Sequence, residues 1–204
     1  MENKTVKNEC KYPAIETRKK YGNEQFLNAG DNTYTLRDFW SWAYSDLVGN
    51  TERGKLAEYI VAMALNITQD VSISWNKYDL LSKEGIRIEV KTSAYLQSWN
   101  QQSLSKISFG IQPTYGWNGI TNKYDTEKKR QSDVYVFCVL CHKDQETLNP
   151  LDISQWEFYV LSTTALNNAA PTKKTISLKS LMDMGAKKCE YAMLYKAVKD
   201  VGGH

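Results

Sequence analysis

Three side chains near the middle of the chain have the types and spacing for chemistry on phosphate. Asp79 precedes a turn signal, Ser82-Lys-Glu-Gly85, and Glu89 and Lys91 follow it in the apolar run Ile86-Arg-Ile-Glu-Val-Lys-Thr92. If the two flanks pair as a hairpin centred on Glu84, Asp79 lies opposite Glu89, with their Cβ atoms about 5 Å apart. Lys91, two residues on, shares that face, while Ile86, Ile88 and Val90 point to the other. Two carboxylates can hold a hard divalent cation through oxygen. Such a cation polarises a phosphoryl group and acidifies a bound water. An adjacent amine can orient or deprotonate that water and steady the growing charge.

The plain alternative is a hairpin with a solvated polar face. An acid two residues before a lysine is cheap, and the chain holds other instances at Glu2/Lys4, Glu9/Lys11 and Glu127/Lys129. Only Glu89/Lys91 lies in a strongly apolar strand with an aspartate set opposite it. A further carboxylate, Glu58, sits at the edge of an apolar helical stripe formed by Leu56, Ile60, Val61, Ala64 and Leu65. Gly54 in that helix is expected to permit close approach to the sheet.

The elements that must position these groups follow from the patterning. Residues 1–30 are rich in Lys, Asn and Gly and read as a flexible or draped arm, with residues 31–204 as one domain. Thr35, with Asp38 three residues later, signals a helix from Leu36 to Val48; Gly49 ends it, and Asn50 or Thr51 opens the next. Strands are expected at Asn76–Leu81, Ile86–Thr92, Ser105–Ile111, Asp133–Cys141 and Trp156–Leu161, with a short one or a lead-in at Val71–Trp75. Gln112–Ser132 reads as a long polar loop, and two helices follow near Leu178–Met184 and Glu190–Lys199. The fold class expected is α/β, a central mixed, mainly antiparallel sheet of about five strands flanked by helices.

Asp79 and Glu89-Val90-Lys91, the latter at the end of an apolar strand, resemble the motif of the PD-(D/E)XK nucleases, the restriction-endonuclease-like superfamily. The resemblance runs from about Asn50 to Leu140, with Tyr78 where the family has proline. Beyond the motif, the chain resembles a group of small bacterial proteins. The resemblance implies a restriction-endonuclease-like fold and an Mg²⁺-dependent nuclease, with Mn²⁺ as a substitute. It makes Asp79, Glu89 and the Val90 carbonyl metal ligands, Glu58 a direct or water-mediated ligand, and Lys91 the group serving the attacking water. Gln97, six residues after Lys91, resembles the accessory glutamine of some branches. An ordinary polar role for Gln97 is as compatible with the residues.

For the substrate, the segment from Trp117 to Lys128, Lys129 and Arg130 offers an aromatic and three cations for stacking and phosphate contact, and Arg18, Lys19 and Lys20 add charge. Each could equally be a solvated charge run. The substrate expected is DNA, with RNA open, and the enzyme acts alone, as a homodimer or in a larger complex. A non-catalytic binding module on the same fold is the rival reading. No glycine-rich stretch ends in Gly-Lys-Ser or Gly-Lys-Thr, so a motor would be another chain.

Composition constrains the rest. The 204 residues carry a net charge of +3, far below tail-driven nucleic-acid binders. No apolar run is long enough to span a bilayer or make a signal peptide, so a cytoplasmic location is expected. The cysteines at 10, 138, 141 and 189 then read as reduced thiols. Cys138-Val-Leu-Cys141-His142 matches the c-type haem attachment pattern letter for letter. It falls in a buried strand, however, and plain core cysteines are the better reading.

Overall fold

The computed structural model describes residues 12–203. Among them, five strands form the central sheet: β1 (Leu80–Leu81), β2 (Arg87–Ala94), β6 (Val134–Leu140), β7 (Trp156–Ser162) and β9 (Lys187–Cys189), side by side in that order. β2 and β6 run parallel, and the other neighbours are antiparallel. The mixed, mainly antiparallel sheet of about five strands is therefore present.

β6 reads Val-Tyr-Val-Phe-Cys-Val-Leu and is buried along its whole length, as expected of a central strand covered on both faces. On one face, Ile88, Val90, Val136 and Phe158 pack with Ala57, Ile60, Val61 and Leu65 of α2 (Asn50–Ala64) and with Leu194, Ala197 and Val198 of α5 (Leu194–Gly202). On the other, Tyr135, Phe137 and Tyr159 pack under a ribbon of β3 (Ser108–Gly110) and β8 (Thr175–Ser177), with α3 (Thr163–Ala169) and α4 (Leu178–Asp183) beside it.

Several expectations need correction. The strand expected at Ser105–Ile111 leaves the central sheet, because Phe109 pairs with Ile176 above it. β8, β9 and α3 have no counterpart among the expected elements. The segment 112–132, expected as a loop, is a hairpin of β4 (Thr114–Asn118) and β5 (Lys123–Lys129). Its turn is made by the Asn118 side chain, which accepts from Ile120 and Thr121 N–H, and by Asn122 at φ 54°. The first helix, α1, stops at Ala43 rather than Val48: the Ser45 hydroxyl returns to the Ser41 carbonyl, and Asp46 accepts from Gly49 N–H. Its start is as expected, with the Asp38 carboxylate accepting from Thr35 N–H at 2.7 Å.

Gly54 faces open space, so it is not what brings α2 against the sheet. Ala57, fully buried, makes that contact. Of the arm expected over residues 1–30, residues 1–11 lie outside those described. Lys19 donates to the carbonyls of Thr68 (2.7 Å) and Gln69 (3.2 Å), and Gln25 bridges to Thr35.

Candidate active site

The turn after β1 holds the expected register. Leu80 faces Ile88 and Leu81 faces Arg87, the pairing that sets Asp79 opposite Glu89. The strand itself is only those two residues, not Asn76–Leu81. At Asp79 the ladder ends, and Asp79 Oδ2 accepts the Val90 N–H at 2.7 Å. A carboxylate thus replaces the carbonyl that a longer strand would have supplied. Because the N–H and C=O of one residue point to the same side of a strand, the Val90 carbonyl faces this gap too.

Glu89 and Lys91 project from the β2 face opposite the α2–α5 core. Lys91 Nζ lies 2.5 Å from Glu89 Oε1, and the Ser132 hydroxyl donates to Glu89 Oε2 at 3.3 Å. Burial, then the facing Glu89 carboxylate, push Asp79 up to about 7; Glu58 adds to this, while the Val90 N–H and Lys91 oppose it. Two carboxylates thus face each other with one lysine paired to Glu89. An all-oxygen set with excess negative charge fits a hard divalent cation.

Asp79 stands where two depressions meet. The first, about 400 Å³, contains Asp79, Glu89, Lys91 and Tyr135, and is walled by the β4–β5 hairpin. The second, about 800 Å³, runs between α2 and the segment before β1 and holds Glu58. Glu58 comes from the helix on the other face of the sheet, where Lys55 Nζ pairs with it at 2.5 Å and the Ser72 hydroxyl donates at 3.3 Å. Glu58 therefore approaches Asp79 from the side opposite Glu89. Among the described residues, no group of three or more His, Cys, Asp or Glu side chains is gathered closely enough to hold an ion.

The hairpin leans over the first cleft through an ion pair. Lys77, two residues before Asp79, binds both oxygens of Asp125 at 2.8 and 2.9 Å. Gly116 gives the pair room, since a Cβ there would collide with Asp125 Oδ2. Trp117 lines the cleft and packs on Tyr124, with ring centroids 4.8 Å apart. Lys128 lies over the Tyr115 ring at 5.1 Å, and Lys129 is exposed.

Arg130, expected as a phosphate contact, lines the first cleft but is held from within the fold. It is buried, and its guanidinium donates inward to the Ile111 carbonyl (2.8 Å), Asn167 Oδ1 (2.6 Å) and the Ala170 carbonyl (2.7 Å). It ties the root of the hairpin to α3. Gln97 lines neither depression; it donates to the Ala94 carbonyl at 2.9 Å and accepts from Arg53 at 3.3 Å. Cys138 is fully buried, and burial pushes its thiol up, so the haem-like pattern has no accessible first cysteine.

Sequence reasoning missed Tyr135, Lys77, Asp125 and Ser132. Tyr135 and Ser132 meet Glu89 through the parallel β2–β6 pairing across more than forty residues, which no local pattern reports. No helix among the described residues is long and apolar enough to cross a membrane.

Among known proteins, the model of the family described as bacteriophage T4 endonuclease IV matches residues 1–180, a span that includes every cleft residue named above. No curated protein and no solved structure matches the chain. With a match over most of its length, the chain belongs to the bacteriophage T4 endonuclease IV family, a family of nucleases.

Proposed function

We propose that this chain is a metal-dependent DNA endonuclease of restriction-endonuclease-like type that cleaves at Asp79, Glu89 and Lys91. The observation that carries this reading is the cut-short β1. It leaves the Asp79 carboxylate on the Val90 N–H, with Glu89 and Lys91 beside it at the mouth of a cleft. The order of the neighbouring elements, a helix bearing Glu58, a hairpin bearing the acids and a parallel strand, supports the fold assignment.

Asp79, Glu89 and the Val90 carbonyl would hold the ion, Mg²⁺ or Mn²⁺, with Glu58 reaching it through water. Once bound, the ion supplies Lewis-acid polarisation and a more acidic water. Lys91, held by Glu89, orients the attacking water and donates to the phosphate as charge accumulates there. Water attacks phosphorus, the P–O bond to the leaving nucleoside breaks, and a terminal phosphate and a hydroxyl result. The hairpin holds the strand, with Trp117 stacking and Lys128 and Lys129 meeting phosphates.

The test is incubation of plasmid, linear and single-stranded DNA, methylated and unmethylated, with Mg²⁺ or Mn²⁺. Wild type is expected to cut, and chelator or Lys91→Ala to abolish cutting. Metal-independent DNA binding without cleavage would instead establish the non-catalytic binding module. Cleavage only with a co-purifying partner would make the chain a nuclease subunit.

A further inference from the structure

Tyr135 is 3% exposed, yet only burial and the nearby charges of Glu89, Arg130 and Asp79 act on its hydroxyl, with no hydrogen bond from a described residue among them. A buried phenol normally finds a partner, and leaving one without costs stability. Tyr135 lines the cleft together with Asp79, Glu89 and Lys91, which leaves room for a ligand to supply that partner. Its place is set by the sheet. Tyr135 is the direct neighbour of Glu89 in the parallel β2–β6 pairing, as Phe137 is of Lys91. Its ring stacks on Phe137, with centroids 5.7 Å apart and planes at 22°, and packs into the core under β3. The polar groups around it are engaged elsewhere: Arg130 on two carbonyls and Asn167, and Ser132 on Glu89.

We infer that the Tyr135 hydroxyl is a catalytic hydrogen-bond donor to a non-bridging oxygen of the scissile phosphate. This rests on the proposed nuclease reading and adds a residue to it. A phosphate seated against Glu89 and Lys91 brings its oxygens over the floor of the cleft, which Tyr135 also lines. The phenol keeps its proton throughout. It strengthens its bond as charge builds on the phosphoryl oxygens, and so acts on the transition state more than on binding. The rigid ring holds the donor in place before substrate arrives.

The experiment is steady-state cleavage by wild type, Tyr135→Phe and Lys91→Ala on whichever DNA wild type cuts, with Mg²⁺ or Mn²⁺, alongside melting temperatures. Tyr135→Phe keeps the ring and its packing. It is expected to lower kcat by about ten- to a hundredfold, with KM and melting temperature nearly unchanged. A wild-type kcat in Tyr135→Phe, while Lys91→Ala is inactive, overturns this inference and leaves the nuclease reading standing. A kcat loss matched by a fall in melting temperature makes Tyr135 a packing residue and overturns it too. If wild type cuts no DNA with either metal, both readings fall together.

Discussion

At Asp79 the chain tolerates a carboxylate that folding disfavours. Its ordinary value near 3.8 is raised to about 7 by burial and by Glu89. Below about pH 4 the group is protonated whether folded or not, so it costs nothing. As pH rises toward 7 the unfolded chain ionises freely while the folded one resists, and stability falls. At about 1.4 kcal/mol per pH unit, the full cost is on the order of 4 kcal/mol at neutral pH. Asp79→Asn keeps an oxygen for the Val90 N–H and removes the charge. Metal-free Asp79→Asn is therefore expected to melt higher than wild type at pH 8 and at the same temperature near pH 4, while losing cleavage. Equal melting at pH 8 would show that the buried charge carries no cost. On the proposed mechanism Lys91 would act on the reaction rather than the fold, since its ion pair with Glu89 is partly solvated. Lys91→Ala should leave the melting temperature within a degree or two and lower the cleavage rate by about a hundredfold or more, read in a single-turnover assay.

The β4–β5 hairpin shows how an element is held by ties that its own strand pattern does not announce. Its two strands pair mainly with each other, and its attachment comes from Lys77–Asp125 and Arg130. These two ties predict different failures. Arg130→Ala strands the Ile111 and Ala170 carbonyls in a buried site and should destabilise the protein by about 2–4 kcal/mol in urea unfolding. Gly116→Ala drives a methyl group into Asp125 and should loosen the hairpin from the cleft. There the expected readout is a raised KM, with unfolding less affected than in Arg130→Ala. Lys128→Ala should weaken DNA binding across all sequences and reduce the slope of log affinity against log salt by about one, measured by fluorescence anisotropy.

For the molecule as a whole, the sheet brings together groups from three distant stretches: Glu58 on a helix, Asp79 to Lys91 around a turn, and Ser132 and Tyr135 at a parallel strand. A cation bound by the folded arrangement and not by the unfolded chain stabilises it by mass action, by about 2.7 kcal/mol at a hundred times the dissociation constant. Mg²⁺ should therefore raise the melting temperature of wild type and leave that of Asp79→Asn/Glu89→Gln unchanged. An equal rise in both would place the ion elsewhere.

Local pattern alone determined the centre of the proposed site. Alternation along Ile86 to Thr92 put Ile88 and Val90 inward and Glu89 and Lys91 on one face, and the Ser82–Gly85 turn set Asp79 against Glu89, because hairpin register depends on neighbours in sequence. The starts of α1 and α2 and the buried run of β6 were legible for the same reason. What only the tertiary structure decided depends on distant partners. β1 is cut short because Asp79 turns its carboxylate to Val90, and β3 leaves the sheet for Ile176. Arg130 looked like a surface cation, yet three acceptors from separate elements draw it inside. Glu58 shares a depression with Asp79 from a helix on the opposite face, and Tyr135 meets Glu89 through a parallel pairing. No local periodicity encodes such a meeting, because parallel strands are joined by whatever long connection the packing of both faces permits.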